Sequence, residues 1–95
     1  MKNHIQLLPL TGTFAENKDV ARDIRIKHIL PLLKKDKEVI LDFEGVEAAT
    51  QSFIHALISD TIRQHGPSVL DKISFKSCSP TVKSIILIVT EYMQV

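Results

Sequence analysis

The sequence predicts a small α/β domain with a mostly parallel sheet, three helices and a short N-terminal strand. Apolar runs of strand length alternate with segments of helical periodicity, in the order strand, helix, strand, helix, strand, helix. The run Val39-Ile40-Leu41-Asp42-Phe43 is apolar on both faces apart from Asp42, as expected of a parallel strand covered by helices. Ninety-five residues suffice for one modest core, so residues 1–95 are expected to form a single domain.

Each element has its own signal. Ile5-Gln6-Leu7-Leu8 predicts a short strand ended by Pro9, which cannot donate to a ladder and so belongs at an edge or bulge. Thr11-Gly12-Thr13 predicts a turn or a second short extended piece; the main strands are expected to be parallel, and such an extra N-terminal piece would add an antiparallel edge. From Asn17 to Leu33 the pattern turns helical. Asn17 is the expected N-cap, Asp19 suits the positive end of the dipole, and Val20, Ile24, Ile26, Leu30 and Leu33 form the apolar face. Pro31 is expected to kink or loosen the last turn, and Lys34 to Lys37 form a solvated loop.

Beyond the Val39–Phe43 strand, Phe53, Ile54, Leu57, Ile58, Thr61 and Ile62 recur at three- and four-residue spacing. That helix ends where Gly66 takes a left-handed conformation and Pro67 forbids continuation. Ile73 to Cys78 alternates as a third strand, and Ser79-Pro80 supplies an N-cap with proline at the first helical position. The β-branched run Ile85 to Val89 suits a strand by propensity. The stripe Val82, Ile85, Ile86, Val89 and Met93 behind that cap decides for helix.

Composition narrows the function classes. Apolar residues make up 44% and charged residues 24%, an ordinary globular balance, and a net charge of +1 gives no electrostatic reason to expect nucleic acid as partner. Cys78 is the sole cysteine, so no intramolecular disulfide can form, and a reducing compartment is expected. Residues 1–14 lack the apolar region of a secretory signal, and Ile85 to Val89 is too short to span a bilayer. The expected setting is the cytoplasm, without membrane insertion.

The candidate site is the turn into the second main helix, Gly45 to Ile58. Thr50 or Ser52 can cap that helix, a contribution of about 1 kcal/mol that by itself accounts for a hydroxyl there. A phosphate on either hydroxyl would be favoured by the helix dipole and opposed by Asp42, Glu44 and Glu47, expected at the same end of the sheet. Asp42 and Glu44 are also where α/β domains bind ligands, yet no histidine stands at ligand spacing and no glycine-rich phosphate loop accompanies them. A solvated, partner-facing acidic edge is the preferred reading.

His4, His28, His55 and His65 lie on different elements or three turns apart, as surface histidines. Cys78 is expected to be a small buried residue at a strand end, since no cysteine-hydrolase signature accompanies it. No metal, cofactor or catalytic constellation is expected. The last predicted helix carries apolar groups over more than the half that one sheet can cover. Leu87 or Ile88 should therefore remain exposed as a candidate association surface, with a homodimer among the expected outcomes.

Leu41-Asp42-Phe43-Glu44-Gly45-Val46 with Ser52-Phe53, together with Ser79-Pro80-Thr81-Val82-Lys83 after the next strand, resembles the STAS domain over roughly residues 13–93. That family takes its name from sulfate transporters and anti-sigma-factor antagonists. The resemblance is strongest to its shorter relatives, STAS-like domains of unknown function often encoded beside histidine-kinase-like ATPases. In the antagonists the turn before the second main helix reads Asp-Ser-Ser-Gly or Asp-Ser-Thr-Gly, and a partner kinase phosphorylates its first hydroxyl. With Leu41-Asp42-Phe43 as anchor, the aspartate falls at Thr50, the phosphoacceptor at Gln51, the next hydroxyl at Ser52 and the glycine at Phe53. Gln51 cannot accept phosphate, so such a switch requires Ser52 or Thr50.

The resemblance implies a non-catalytic regulatory interaction module that binds a histidine-kinase-like ATPase through Asp42, Glu44, Glu47, Thr50, Gln51, Ser52 and Phe53. One alternative is an accessory STAS subunit of a transporter ATPase. Another is a small ligand-binding or enzymatic domain using Asp42 and Glu44.

Overall fold

The computed structural model describes residues 3–93 and shows a small α/β fold. Three parallel strands, β1 (Asn3–Gln6), β3 (Val39–Asp42) and β5 (Ile73–Lys76), lie in the order β1-β3-β5. Gln6 and Lys76 flank Asp42 in register, so the three strands finish together. A second parallel pair, β2 (Phe14–Ala15) and β4 (Ala48–Ala49), continues the architecture beyond that end. Val39, Leu41 and Phe43 are all fully buried, which is why the central strand has no polar face.

β1 is parallel to β3, as the alternation of elements predicts, because the connection between them carries a full helix that returns the chain to the starting end of the sheet. The extra N-terminal piece needs correction: β2 is parallel to β4 and adds no antiparallel edge. β1 also ends earlier than predicted. Leu7 is buried, and residues Leu8–Thr11 form one helical turn, α1, with proline in its first turn, where the fixed φ is favourable and the missing N–H costs nothing. Gly12 then turns the chain at φ +74° into β2.

Helix α2 (Lys18–Ile24) starts at Asn17, whose side-chain oxygen accepts from the backbone N–H of Asp19 at 2.8 Å and of Val20 at 3.4 Å. It runs through a π-helical segment, Arg25–Ile29, into α3 (Leu30–Lys34). Pro31 has no N–H for the carbonyl four residues back, and the wider π turn directly before it accommodates that loss. The widening also shifts the helix phase: Ile29 is fully buried, whereas Ile26, expected on the apolar face, is 45% exposed. Arg25 ties this segment to the next helix, donating to the Ala56 carbonyl at 2.6 Å and pairing with Asp60 at 3.0 Å.

Helix α4 (Gln51–His65) buries Phe53, Ile54, Leu57, Ile58, Thr61 and Ile62, the six residues whose spacing predicted it. Gly66, at φ +84°, ends it, and a 3-10 turn, Pro67–Lys72, leads into β5. β5 stops two residues short of its predicted end because Ser77 takes φ +57°, which breaks the extended run. Helix α5 (Pro80–Met93) settles the strand-or-helix ambiguity as helix, with Ser79 Oγ accepting from the Val82 N–H at 3.1 Å. Val82, Ile86 and Val89 face the core and Ile85 is half-buried; the Met93 side chain lies outside the described residues.

Candidate functional site: the turn into helix α4

Asp42 closes the central strand and is 2% exposed. Its Oδ2 lies 2.6 Å from His4 Nε2 across the sheet, and its Oδ1 accepts the Glu44 N–H at 2.9 Å. The Glu44 N–H holds the Asp42 carboxyl below its ordinary value, with help from His4 and Lys76, and outweighs the opposing effect of burial. A buried carboxylate with both oxygens engaged is part of the frame and not of a docking surface, which corrects its expected role. The His4 pairing follows from the β1–β3 register, and nothing in the local sequence around either residue announces it.

Beyond Asp42 the chain turns at Gly45, whose φ is +85° and whose missing Cβ leaves room for the side chain of Leu8. Glu44 and Glu47 are exposed, as expected of an acidic edge. The backbone of Glu47 is fixed on both sides: its N–H donates to the Thr13 carbonyl at 2.8 Å, and its carbonyl accepts from Ser79 Oγ at 2.9 Å.

Thr50 is the N-cap of α4. Its Oγ1 accepts the Phe53 N–H at 3.0 Å, and its own N–H donates to the Ala15 carbonyl at 2.9 Å. Gln51 and Ser52 occupy the exposed first turn, while Phe53 is fully buried. Phe53 is therefore corrected from docking residue to core anchor, its large side chain filling the space under the helix start. Of the seven expected contact residues, five reach the surface at least in part: Glu44, Glu47, Thr50, Gln51 and Ser52.

Ser52 does not share its cleft with the acidic edge. An open cleft of about 360 Å³ is lined by Lys18, Gln51, Ser52, His55 and Ala56, so a lysine at the start of α2, and no carboxylate, borders it. A neighbouring cleft of about 510 Å³, also bordered by Lys18 and His55, continues along the α2–α4 groove past Arg22 and Asp60. Asp42 and Glu44 border a different cleft, of about 260 Å³, with Gln6, Leu8 and Pro9.

The N-terminal segment adds what sequence reasoning missed. Leu8, Leu10 and Phe14 are 37%, 42% and 48% exposed. Phe14 pairs with Ala48 and borders a cleft of about 220 Å³ with Thr11, Glu16, Asn17, Val20 and Phe53, next to the start of α4. The available signal was the density of leucines around Pro9, more than a four-residue strand can bury. Cys78 is half-buried, and burial raises its thiol pKa, the reverse of activation. Among the described residues, no group of three His, Cys, Asp or Glu side chains could hold a metal, and no helix is long and apolar enough to cross a membrane.

A family model described as a STAS-like domain of unknown function (DUF4325) matches residues 20–83. The chain belongs to that family. No curated protein and no solved structure matches it significantly. The matched span of this STAS-like domain runs from α2 through the start of α5 and includes the whole turn into α4. It excludes residues 3–19, and with them His4, which meets Asp42, Leu8, which lies at Gly45, Phe14, which pairs with Ala48, and the exposed Leu10.

Proposed function

We propose that this STAS-like domain is a non-catalytic regulatory module that docks a protein partner at the turn into α4. The observation that carries this reading is the exposure of Leu8, Leu10 and Phe14 on the segment held against that turn. Three large apolar side chains in water on so small a domain are typical of an association surface. Glu44, Glu47, Gln51 and Ser52 supply its polar rim. The STAS resemblance points to a histidine-kinase-like ATPase as the partner.

If that ATPase modifies the domain, Ser52 is the acceptor. Its hydroxyl is exposed on the first turn of α4 in a cleft with Lys18, whereas the Thr50 oxygen is committed to the cap. A phosphate there would meet the positive end of the helix and the lysine. The test is pull-down and titration of a histidine-kinase-like ATPase from the same organism against wild-type, Phe14→Asp, Ser52→Asp and Ser52→Ala proteins, with intact-mass analysis after incubation with ATP. Loss of binding in Phe14→Asp and Ser52→Asp and a single phosphate absent from Ser52→Ala support the reading. Undiminished binding by Phe14→Asp overturns the docking face, and an unmodified mass with binding preserved overturns the switch. Recovery of a transporter ATPase instead would favour the accessory-subunit role.

The cleft beside Asp42 and Glu44 favours a second reading, a small-ligand site. Both Asp42 oxygens are engaged by His4 and the Glu44 N–H, so the exposed Glu44 carboxylate would be the group that meets a ligand there.

A further inference from the structure

We infer that helix α5 pairs antiparallel with α5 of a second copy of this chain, forming a weak two-fold homodimer. Val82, Ile86 and Val89 commit one face of α5 to the core. Ser84, Leu87, Ile88 and Glu91 follow each other at spacings of three, one and three residues, which places them along a single stripe, and all four are exposed. Leu87 and Ile88, at its centre, are 50% and 49% exposed. An α5 that is apolar on both its inner and outer faces is a helix built to be covered twice.

The charges select the occupant. Between Pro80 and Glu91 the only charged residues are Lys83 and Glu91, both exposed and near opposite ends of the stripe. A two-fold axis between Leu87 and Ile88 sets Leu87 against Ile88 of the partner subunit and Ser84 against Glu91 of the partner subunit. Lys83, one residue before Ser84, then lies within side-chain reach of the partner's Glu91, and the contact is repeated by symmetry. A parallel pair would instead oppose like charges at both ends, at a cost. The surface is therefore self-complementary only in the antiparallel sense, as a closed isologous dimer requires. A lipid surface fits poorly, because an interfacial helix carries a basic rim and this stripe has one lysine balanced by one glutamate. One helix pair buries little area, so association falls in the weak class, below roughly 1,200 Å² in total.

Sedimentation equilibrium or light scattering over a wide concentration range tests the pairing. Wild type is expected to shift reversibly from monomer to dimer as concentration rises. Leu87→Glu with Ile88→Glu should remain monomeric with unchanged circular dichroism, since both side chains are exposed. Lys83→Glu and Glu91→Lys should each weaken dimerisation several-fold, and the double charge swap should restore it, a rescue that a merely structural role would not produce. A wild type that is monomeric at its solubility limit, a dimer that survives Leu87→Glu with Ile88→Glu, or charge variants without effect and without rescue would each overturn the inference.

Discussion

Replacing Thr50 with alanine separates the capping role of this turn from its proposed docking role. The Thr50 hydroxyl accepts the Phe53 N–H at 3.0 Å, and that N–H is at the third position of α4, where the helix itself offers no acceptor. Phe53 is fully buried, so water is poorly placed to replace the lost partner. The expected cost thus sits in the upper part of the usual capping range, about 1–2 kcal/mol. For a domain of this size each kcal/mol lowers Tm by roughly 4–8 °C. Thr50→Ser should keep most of the stability by preserving the acceptor. Ser52→Ala removes an exposed hydroxyl and should stay within about 0.5 kcal/mol of wild type. The assay is urea and thermal unfolding followed by far-ultraviolet circular dichroism. The reasoning is refuted if Ser52→Ala destabilises as much as Thr50→Ala, or if Thr50→Ser and Thr50→Ala are equally unstable.

Three further outcomes are expected. Asp42→Asn keeps an acceptor for the Glu44 N–H but loses the charge-assisted contact with His4, at about 1–3 kcal/mol near neutral pH in urea unfolding. Because the folded carboxyl of Asp42 is depressed below its ordinary 3.8, its stabilisation is complete well above that value and is lost as pH falls through the folded pKa. The stability gap between wild type and Asp42→Asn should accordingly close as pH falls through the folded pKa of Asp42, and a gap that stays unchanged there would contradict the pairing. Phe53→Ala should cost about 3–5 kcal/mol and broaden or abolish cooperative unfolding, as expected of a buried anchor and not of a contact residue. Gly45→Ala would place a Cβ 2.5 Å from Leu8 Cδ2 at φ +85° and should destabilise by about 1–3 kcal/mol. Adding Leu8→Ala should recover the steric part and leave the backbone strain, so a double variant no more stable than predicted by simple additivity would show that the two residues do not meet.

The fold was legible where side-chain period and punctuation agreed. Phe53 to Ile62 kept a strict helical spacing between a cap and Gly66-Pro67, and all six predicted face residues are buried. Ser79-Pro80 overrode the β-branched run of α5 because a cap acts at a defined position, whereas propensity is only an average over contexts. The N-terminal region failed for the opposite reason. Leu7, Leu8, Pro9 and Leu10 suit a strand end or a helical turn equally well, and the choice rests on Leu7 fitting the core and on Leu8 filling the space Gly45 leaves. The exposed position of Ile26 was hidden because a π turn changes helix phase without a mark of its own beyond the later proline.

The same distinction explains the site. Thr50 and Ser52 are equivalent in a sequence that shows only their spacing, but one residue decides which hydroxyl turns inward: the first to donate into the helix. Thr50 is held extended at ψ 155° by the bond from its N–H to the Ala15 carbonyl, so the helix begins at Gln51 and Thr50 must be the cap. That bond depends on β2, and β2 on the α1 turn that brings Phe14 alongside Ala48. The N-terminal segment outside the matched family span thus sets where α4 starts, which frees Ser52 for the surface while supplying the exposed apolar residues beside it. Lengthening the loop around Gly12 by one residue, which unhooks β2 without touching α4, should therefore weaken partner docking and the Thr50 cap together. Binding that survives while the cap is lost would separate the two.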